Sequence, residues 1–197
     1  MTSVSFEERV LLLSQPHMES LRTFRIELLS RLPANTFVPY FDPLDAGIEA
    51  RVLLLLETPG RVPRKTRFTS LDNPSATSKN LKSLVTESGL NRSNLLMWNL
   101  VPWDIGLDTK VRPTTSGHHS IGTAALVDLL RLLIKLRVIV FIGAKAQISM
   151  SVVRSHQKDL TLIRCPHPSP TNINTRPECR SQILEALGTA FRVLNDC

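Results

Sequence analysis

The sequence predicts a three-layer α/β/α domain on a central four-stranded parallel sheet. Two observations carry this. Four short apolar runs, RVLLLLE from Arg51, NLLMWNLV from Asn94, RVIVFIG from Arg137 and LTLIR from Leu160, are continuous rather than alternating, as expected of strands covered on both faces. Segments of helical periodicity separate them, and strand and helix in alternation with right-handed crossovers place helices on both sides of a parallel sheet. A chain of 197 residues is one domain by the usual prior and buries roughly 70% of the surface that its unfolded form exposes.

Taken in order, Glu7, Glu8 and Arg9 stand ahead of a short apolar run, and no run approaches the roughly 18 residues of a membrane span. A soluble protein without an export signal is expected, cytoplasmic in a bacterium or nuclear in a eukaryote. Leu21, Phe24, Leu28 and Leu32 recur at helical spacing, so residues 17–32 form an amphipathic helix that stops at Pro33. It belongs to a helical extension of about residues 1–50 within a single domain spanning 1–197. Ala34 to Gly47, with Pro39 and Pro43, reads as a loop. SKNLKSLVTES carries Leu81, Leu84 and Val85 and precedes Gly89, a suitable residue just past a helix end. IGTAALVDLLRLLIKL is apolar almost all round and reads as a buried crossover helix, and AKAQISMSVVRS makes another helix. The last helix opens at Thr175, with Glu178 three residues on and Pro177 in its first turn, and buries Ile183, Leu187, Phe191 and Leu194.

Lys and Arg number 24 against 17 Asp and Glu, and the net charge of +7 favours a polyanionic partner such as nucleic acid. Cys165, Cys179 and Cys197 are few, odd in number and without CxxC spacing. That argues against a disulfide framework and against a zinc or iron–sulfur site built from cysteines alone, and for a reducing compartment. ETPGRVPRKT lacks the spacing of a phosphate-binding loop.

In such sheets the ligand lies outside the carboxyl ends of the strands. Those ends supply ETPGRVPRKT, WNLVPWDIG, FIGAK and CPHPSPTNIN. Glu57, between an apolar strand and a turn, is partly desolvated; it faces a positive centre or an ordered water, or else caps a helix or pairs with Arg61. Arg61, Arg64, Lys65, Arg67, Lys79 and Lys82 are opposed only by Asp72 and interrupted by Phe68. Basic residues tracking a phosphate chain beside an aromatic face make a platform for a single strand or a flipped base; the alternative is a solvated loop with Phe68 in the core. Asn99 ends an apolar strand, where a side-chain amide needs hydrogen-bond partners. Its donor and acceptor match O4 and N3–H of uracil or thymine and mismatch cytosine; the alternative is that it ties down the VPWDIG loop. Pro166, Pro168 and Pro170 remove three backbone donors and restrict His167, which suggests an imidazole held ready at the rim. His118 and His119 read as solvated, and no third and fourth ligand accompanies Cys165 and His167, so no metal is expected.

LLLLETPG, FTSLDNPSATSKNLK, LLMWNLVPW, VFIGAKA and HPSP, in that order from about Arg51 to Asn174, resemble the uracil-DNA glycosylase superfamily. ETPG is similar to the GEAPG of its iron–sulfur branch, and the Phe-then-SKN region to the uracil-specific branch. HPSP resembles both. The resemblance implies that Glu57 positions or activates the water or stabilises a cationic sugar, that Phe68 stacks on the extruded base, that Asn99 reads its edge and that His167 donates to O2. Ser78 and Ser169 would sit near phosphates. Leu56 replaces the motif's Gly and Thr58 its Ala, and three cysteines cannot supply a four-cysteine cluster, so no cofactor is implied. Thr171 and Asn172 stand where the uracil-specific branch carries an apolar wedge, with Ile173 as a substitute.

Hydrolysis of an N-glycosidic bond leaves cationic character on the sugar and negative charge on the base oxygens, so one group of each polarity is needed. Glu57 and His167 have those roles. The expectation is a monomeric glycosylase acting on uracil or a related deaminated base in DNA, preferring single-stranded or mispaired substrate because no clear wedge drives base extrusion. The rivals are a non-catalytic nucleic-acid-binding protein on the same fold, and a glycosylase for hypoxanthine, xanthine or mismatched thymine.

Overall fold

A computed structural model describes residues 4–105 and 113–196; Cys197 and the Gly106 end of the WNLVPWDIG segment lie outside them. The four apolar runs form strands β2 (Val52–Leu56), β4 (Leu95–Asn99), β5 (Val138–Ile142) and β6 (Thr161–Cys165), after a two-residue β1 (Tyr40–Phe41) and β3 (Phe68–Thr69). The larger sheet is parallel throughout, in the order β4-β2-β5-β6. The chain therefore winds one way from β2 to β4 and then crosses to the other side for β5 and β6. The reversal at β2 and β5 is where doubly wound sheets open a crevice at their carboxyl ends.

Strand alternation divides the core into two layers. Leu53, Leu55, Leu96, Trp98, Ile139 and Phe141 face α2 (Pro16–Ser30) and α5 (Ser116–Leu132), whereas Val52, Leu54, Leu95, Val138 and Val140 face α4 (Ala76–Glu87) and α8 (Pro177–Asn195). Each fully buried Leu, Val or Ile contributes about 1.5–3 kcal/mol. Residues between Leu13 and Ala50 contribute to this core: α2 buries Met18, Leu21, Phe24 and Leu28, and Phe41 stacks on Trp98 at 3.8 Å between ring centroids. The short helices are α1 (Phe6–Leu12), α3 (Val62–Thr66), α6 (Met150–His156) and α7 (Pro170–Thr175). No described helix is long and apolar enough to cross a membrane.

Four local expectations are corrected. Residues 34–47 are not all loop, because Tyr40 and Phe41 pair in parallel with Phe68 and Thr69. The Thr175 capping box is not formed: Pro170 starts α7 with Ser169 as its cap, and Thr175 ends that helix with its hydroxyl donating to the Thr171 carbonyl at 2.7 Å. Phe191 is 39% exposed, lying over Gly89 rather than in the core. Crossover helix α5 shows one side to solvent, with Ile121 47% exposed.

A buried ionic cluster ties the N-terminus to the sheet. Asp42, with no exposed surface, accepts from Arg9 at 3.0 Å and Arg92 at 2.6 Å, and Arg92 also bonds Asp45 at 2.6 Å. Asp72 takes Arg9, Arg92 and Lys82. Although desolvation pushes Asp72 up, hydrogen bonds from Lys82 and Arg92 hold it down at about 2. Burial pushes Asp45 up to about 7, against the opposing pull of Arg92.

The signs of linkage differ for the two carboxyls. Asp72 contributes stability above its unfolded pKa that is lost as pH falls through about 2. Asp45 favours the folded state below its unfolded value, and that contribution is lost as pH rises through about 7. Asp45→Asn is therefore expected to gain in melting temperature relative to the wild type as pH is raised from about 5 to about 8. Parallel pH profiles for the two proteins in calorimetry would refute this titration.

Candidate active site

Register places Asn99 level with Leu56, one residue before Glu57, so the ends of two neighbouring strands deliver an amide and a carboxylate to the same rim. Beside them opens a cavity of about 280 Å³. It is lined by Leu56 and Met97 from the strands, by Thr58, Pro59, Val62 and Pro63 after β2, by Ser75, Thr77 and Ser78 at the start of α4, and by Thr69, Asn99 and His167. Asn99 is 3% exposed, and its Nδ2 reaches Thr69 Oγ1 only at 3.5 Å, a long contact that leaves the amide able to serve a ligand.

His167 is gripped through its backbone. Its carbonyl accepts from Asn172 Nδ2 at 3.0 Å, and the neighbouring Pro168 carbonyl accepts from Asn80 Nδ2 at 3.0 Å. Below the imidazole runs Gly143 at φ +89, where a Cβ would lie 3.2 Å from His167 Cβ, so glycine answers both the left-handed backbone and the close approach. Desolvation lowers the His167 pKa against the opposing effect of the Glu57 carboxylate; the imidazole is then neutral at neutral pH, with one N–H to donate.

Glu57 stands next to the cavity and turns towards the N-terminus of α5. Its Oε1 accepts from the Thr114 hydroxyl at 2.5 Å and lies 3.8 Å from His119 Nε2. Ser78 lines the cavity and bonds the cap residue Ser75, hydroxyl to hydroxyl, at 2.9 Å. Ser169 caps α7, accepting from the Asn172 N–H at 3.3 Å. Lys65 and Lys79 are exposed, but Arg64 is ion-paired with Asp104.

Phe68 is not brought to the cavity. It is 1% exposed, packed against Phe6 and Tyr40, with the Arg9 guanidinium 5.9 Å from its ring. Successive residues of a strand point to opposite faces, so Thr69 takes the cavity face and Phe68 the core face of β3. The expectation of an aromatic platform at Phe68 is corrected: the apolar side chains that line the cavity are Leu56, Pro59, Val62, Pro63 and Met97. Ile173 is likewise corrected as a wedge, since it packs partly buried against the α8 side of the core.

Sequence reasoning missed Thr69, Thr114 and His119. The alternation after Phe68 could have found Thr69. His119 was expected to be solvated, yet it is 8% exposed, because the first turn of α5 is folded over Glu57. Among the described residues, no group of three or more His, Cys, Asp and Glu is placed to hold a metal ion.

The carboxyl edge of the sheet thus carries a cavity lined by the Asn99 amide and the His167 imidazole, with the Glu57 carboxylate beside it. The chain belongs to the Uracil DNA glycosylase superfamily, whose family model matches residues 44–188, and on that ground is a DNA glycosylase, a hydrolase of DNA repair. Among solved structures it resembles the crystal structure of Pedobacter heparinus SMUG2, with a TM-score of 0.56 and 13% identity over 76% of this chain and 77% of that one. It also resembles the NMR structure of a protein from Methanosarcina acetivorans provisionally named a uracil DNA glycosylase, with a TM-score of 0.51 and 16% identity over 72% and 91%. At these identities the likeness is one of fold. No curated protein matches the sequence.

Proposed function

We propose that the protein hydrolyses the N-glycosidic bond of uracil, or of a related deaminated base, in DNA. The observation that carries this reading is the convergence of Asn99 and His167 on one cavity of about 280 Å³ with Glu57 at its edge. The Asn99 amide supplies a donor and an acceptor together, the complement of O4 and N3–H of uracil. His167, neutral and held from both sides, donates to O2 as negative charge develops on the leaving base. Glu57 faces the sugar, where its carboxylate stabilises cationic character and takes a proton from the attacking water.

Hydroxyls of Ser75, Thr77 and Ser78 at the start of α4 suit a phosphate, because the first backbone N–H groups of a helix favour an anion there. Ser169 at the start of α7, with exposed Lys65 and Lys79, extends the same surface. Arg64 joins it only by exchanging Asp104 for a phosphate.

The test is an alkali-cleavage assay on oligonucleotides carrying uracil, hypoxanthine, xanthine or mismatched thymine. Cleavage at uracil supports the reading, and cleavage only at another base redirects it. Binding without product on any substrate assigns the protein to non-catalytic recognition. In the same assay His167→Ala is expected to slow base release by about 10²–10³-fold, with DNA affinity nearly unchanged. Full activity in that variant would remove His167 from the chemistry.

Strand preference follows from the wall of the site. Extruding a base from duplex costs a few kcal/mol and less from a single strand, and neither Phe68 nor Ile173 is free to offset it. Single-stranded uracil is therefore expected to be released about tenfold faster than uracil in a U:A pair. Equal single-turnover rates on the two would contradict this.

A further inference from the structure

Three buried polar side-chain atoms lack a partner among the described residues: Arg9 Nε, Asp45 Oδ2 and His119 Nε2. The first two belong to the buried ionic cluster of Arg9, Arg92, Asp42 and Asp45. His119 does not. It sits at the rim, its side chain nine-tenths buried, with Nε2 directed at Glu57 Oε1 across 3.8 Å. That gap is too wide for a hydrogen bond, and a buried nitrogen without a partner is a standing cost to the folded state.

The placement is built by the backbone. Thr115 and His118 cap the first turn of α5 reciprocally, each backbone N–H reaching the other's side chain at 3.2 Å. Gly122 then lets the helix lie against the chain leaving β4, where a Cβ would come within 2.0 Å of the Leu100 carbonyl oxygen. Both devices fix where His119 meets Glu57. The Thr114 hydroxyl holds the same Oε1.

We propose that His119 is a positioning residue for Glu57: its Nε2–H closes onto Oε1 when substrate fills the cavity, and with Thr114 it fixes the carboxylate so that Oε2 faces the attacking water. Hydrogen bonds of this kind are often long in the free enzyme and tighten in the complex. The inference rests on the reading of Glu57 given above. The charged and titratable groups around the imidazole are Glu57 from the loop after β2, His167 beyond it, His118 on the same turn, Asp128 further along α5, and His156 on α6 across the groove between the two helices.

A double-mutant cycle with a spectroscopic control tests it. Base release is measured under single turnover on a single-stranded uracil oligonucleotide for the wild type, His119→Ala, His119→Gln, Glu57→Gln and both double variants. The expected result is a loss of about tenfold in His119→Ala with KM unchanged and partial recovery in His119→Gln, which keeps a donor. In the Glu57→Gln background neither change should cost more than about twofold. A loss of equal size in both backgrounds means a packing role and overturns the proposal, as does full activity in His119→Ala. Should His119→Ala not fold, the same comparison with His119→Gln decides the matter.

NMR of the His119 ring N–H separates this inference from the reading beneath it. On binding a single-stranded oligonucleotide that carries uncleavable 2′-fluoro-deoxyuridine, the Nε2–H proton is expected to move downfield in the wild type and not in Glu57→Gln, and the absence of that difference overturns the contact. A wild type inactive on every lesion ends the glycosylase reading, and the proton shift still decides the contact.

Discussion

Glu57→Gln is expected to slow release of uracil by about 10²–10⁴-fold, equivalent to roughly 2.7–5.5 kcal/mol of barrier. The substitution keeps the shape of the side chain and removes its charge. The carboxamide oxygen can still accept from Thr114, so the rim keeps its geometry while, in the proposed mechanism, the sugar loses its counter-charge and the water its proton acceptor. Binding of a uracil-containing strand should change by less than about twofold, because the loss falls on the transition state and not on the ground state. Single-turnover rates at saturating protein, set beside affinities from fluorescence anisotropy, check both halves. A variant as fast as the wild type would take Glu57 out of the mechanism and leave His167 and Asn99 as a recognition site alone.

Asp42→Ala should be the most damaging of the stability changes, at about 3–5 kcal/mol. Asp42 has no exposed surface and receives Arg9, Arg92 and the Leu44 N–H. Removing it leaves two guanidinium groups in a low-dielectric site with too little negative charge. For a domain of this size the melting temperature should fall by roughly 6–20 °C. Asp42→Asn, which keeps an acceptor, should lose less. Because Arg9 holds α1 to this cluster, the N-terminal helix should lose amide protection before the rest of the fold. An unchanged midpoint in Asp42→Ala would mean that the cluster contributes nothing net.

The sheet was legible because β2 and β5 are short unbroken apolar runs bounded by charged or turn residues and β4 is apolar up to Asn99, the pattern of parallel strands covered on both faces; the edge strand β6, with exposed Arg164, carries it more weakly. Asn99 and His167 were legible for a related reason: each is a polar residue where burial or proline restricts its surroundings, and both line the cavity. What failed was local facing. Phe68 carries the ring expected of a stacking platform, but in a two-residue strand one position of register decides between cavity and core, and the ring was taken by Phe6 and Tyr40. His119 was illegible because its burial depends on Glu57, sixty-two positions earlier in the chain. Arg64 illustrates a third kind of miss. Counted as a free base beside Asp72, it is neutralised by Asp104, which the sequence places forty residues away.

The buried ionic cluster and the exposed lysines have a consequence for handling the protein. Mobile ions reach the exposed Lys65 and Lys79; if these hold a nucleic-acid backbone as proposed, affinity for DNA should fall steeply as sodium chloride is added. They do not reach Asp42, where the guanidinium partners are sheltered from the electrolyte. A salt gradient on heparin or phosphocellulose should therefore release the protein with its hydrodynamic radius and melting curve intact.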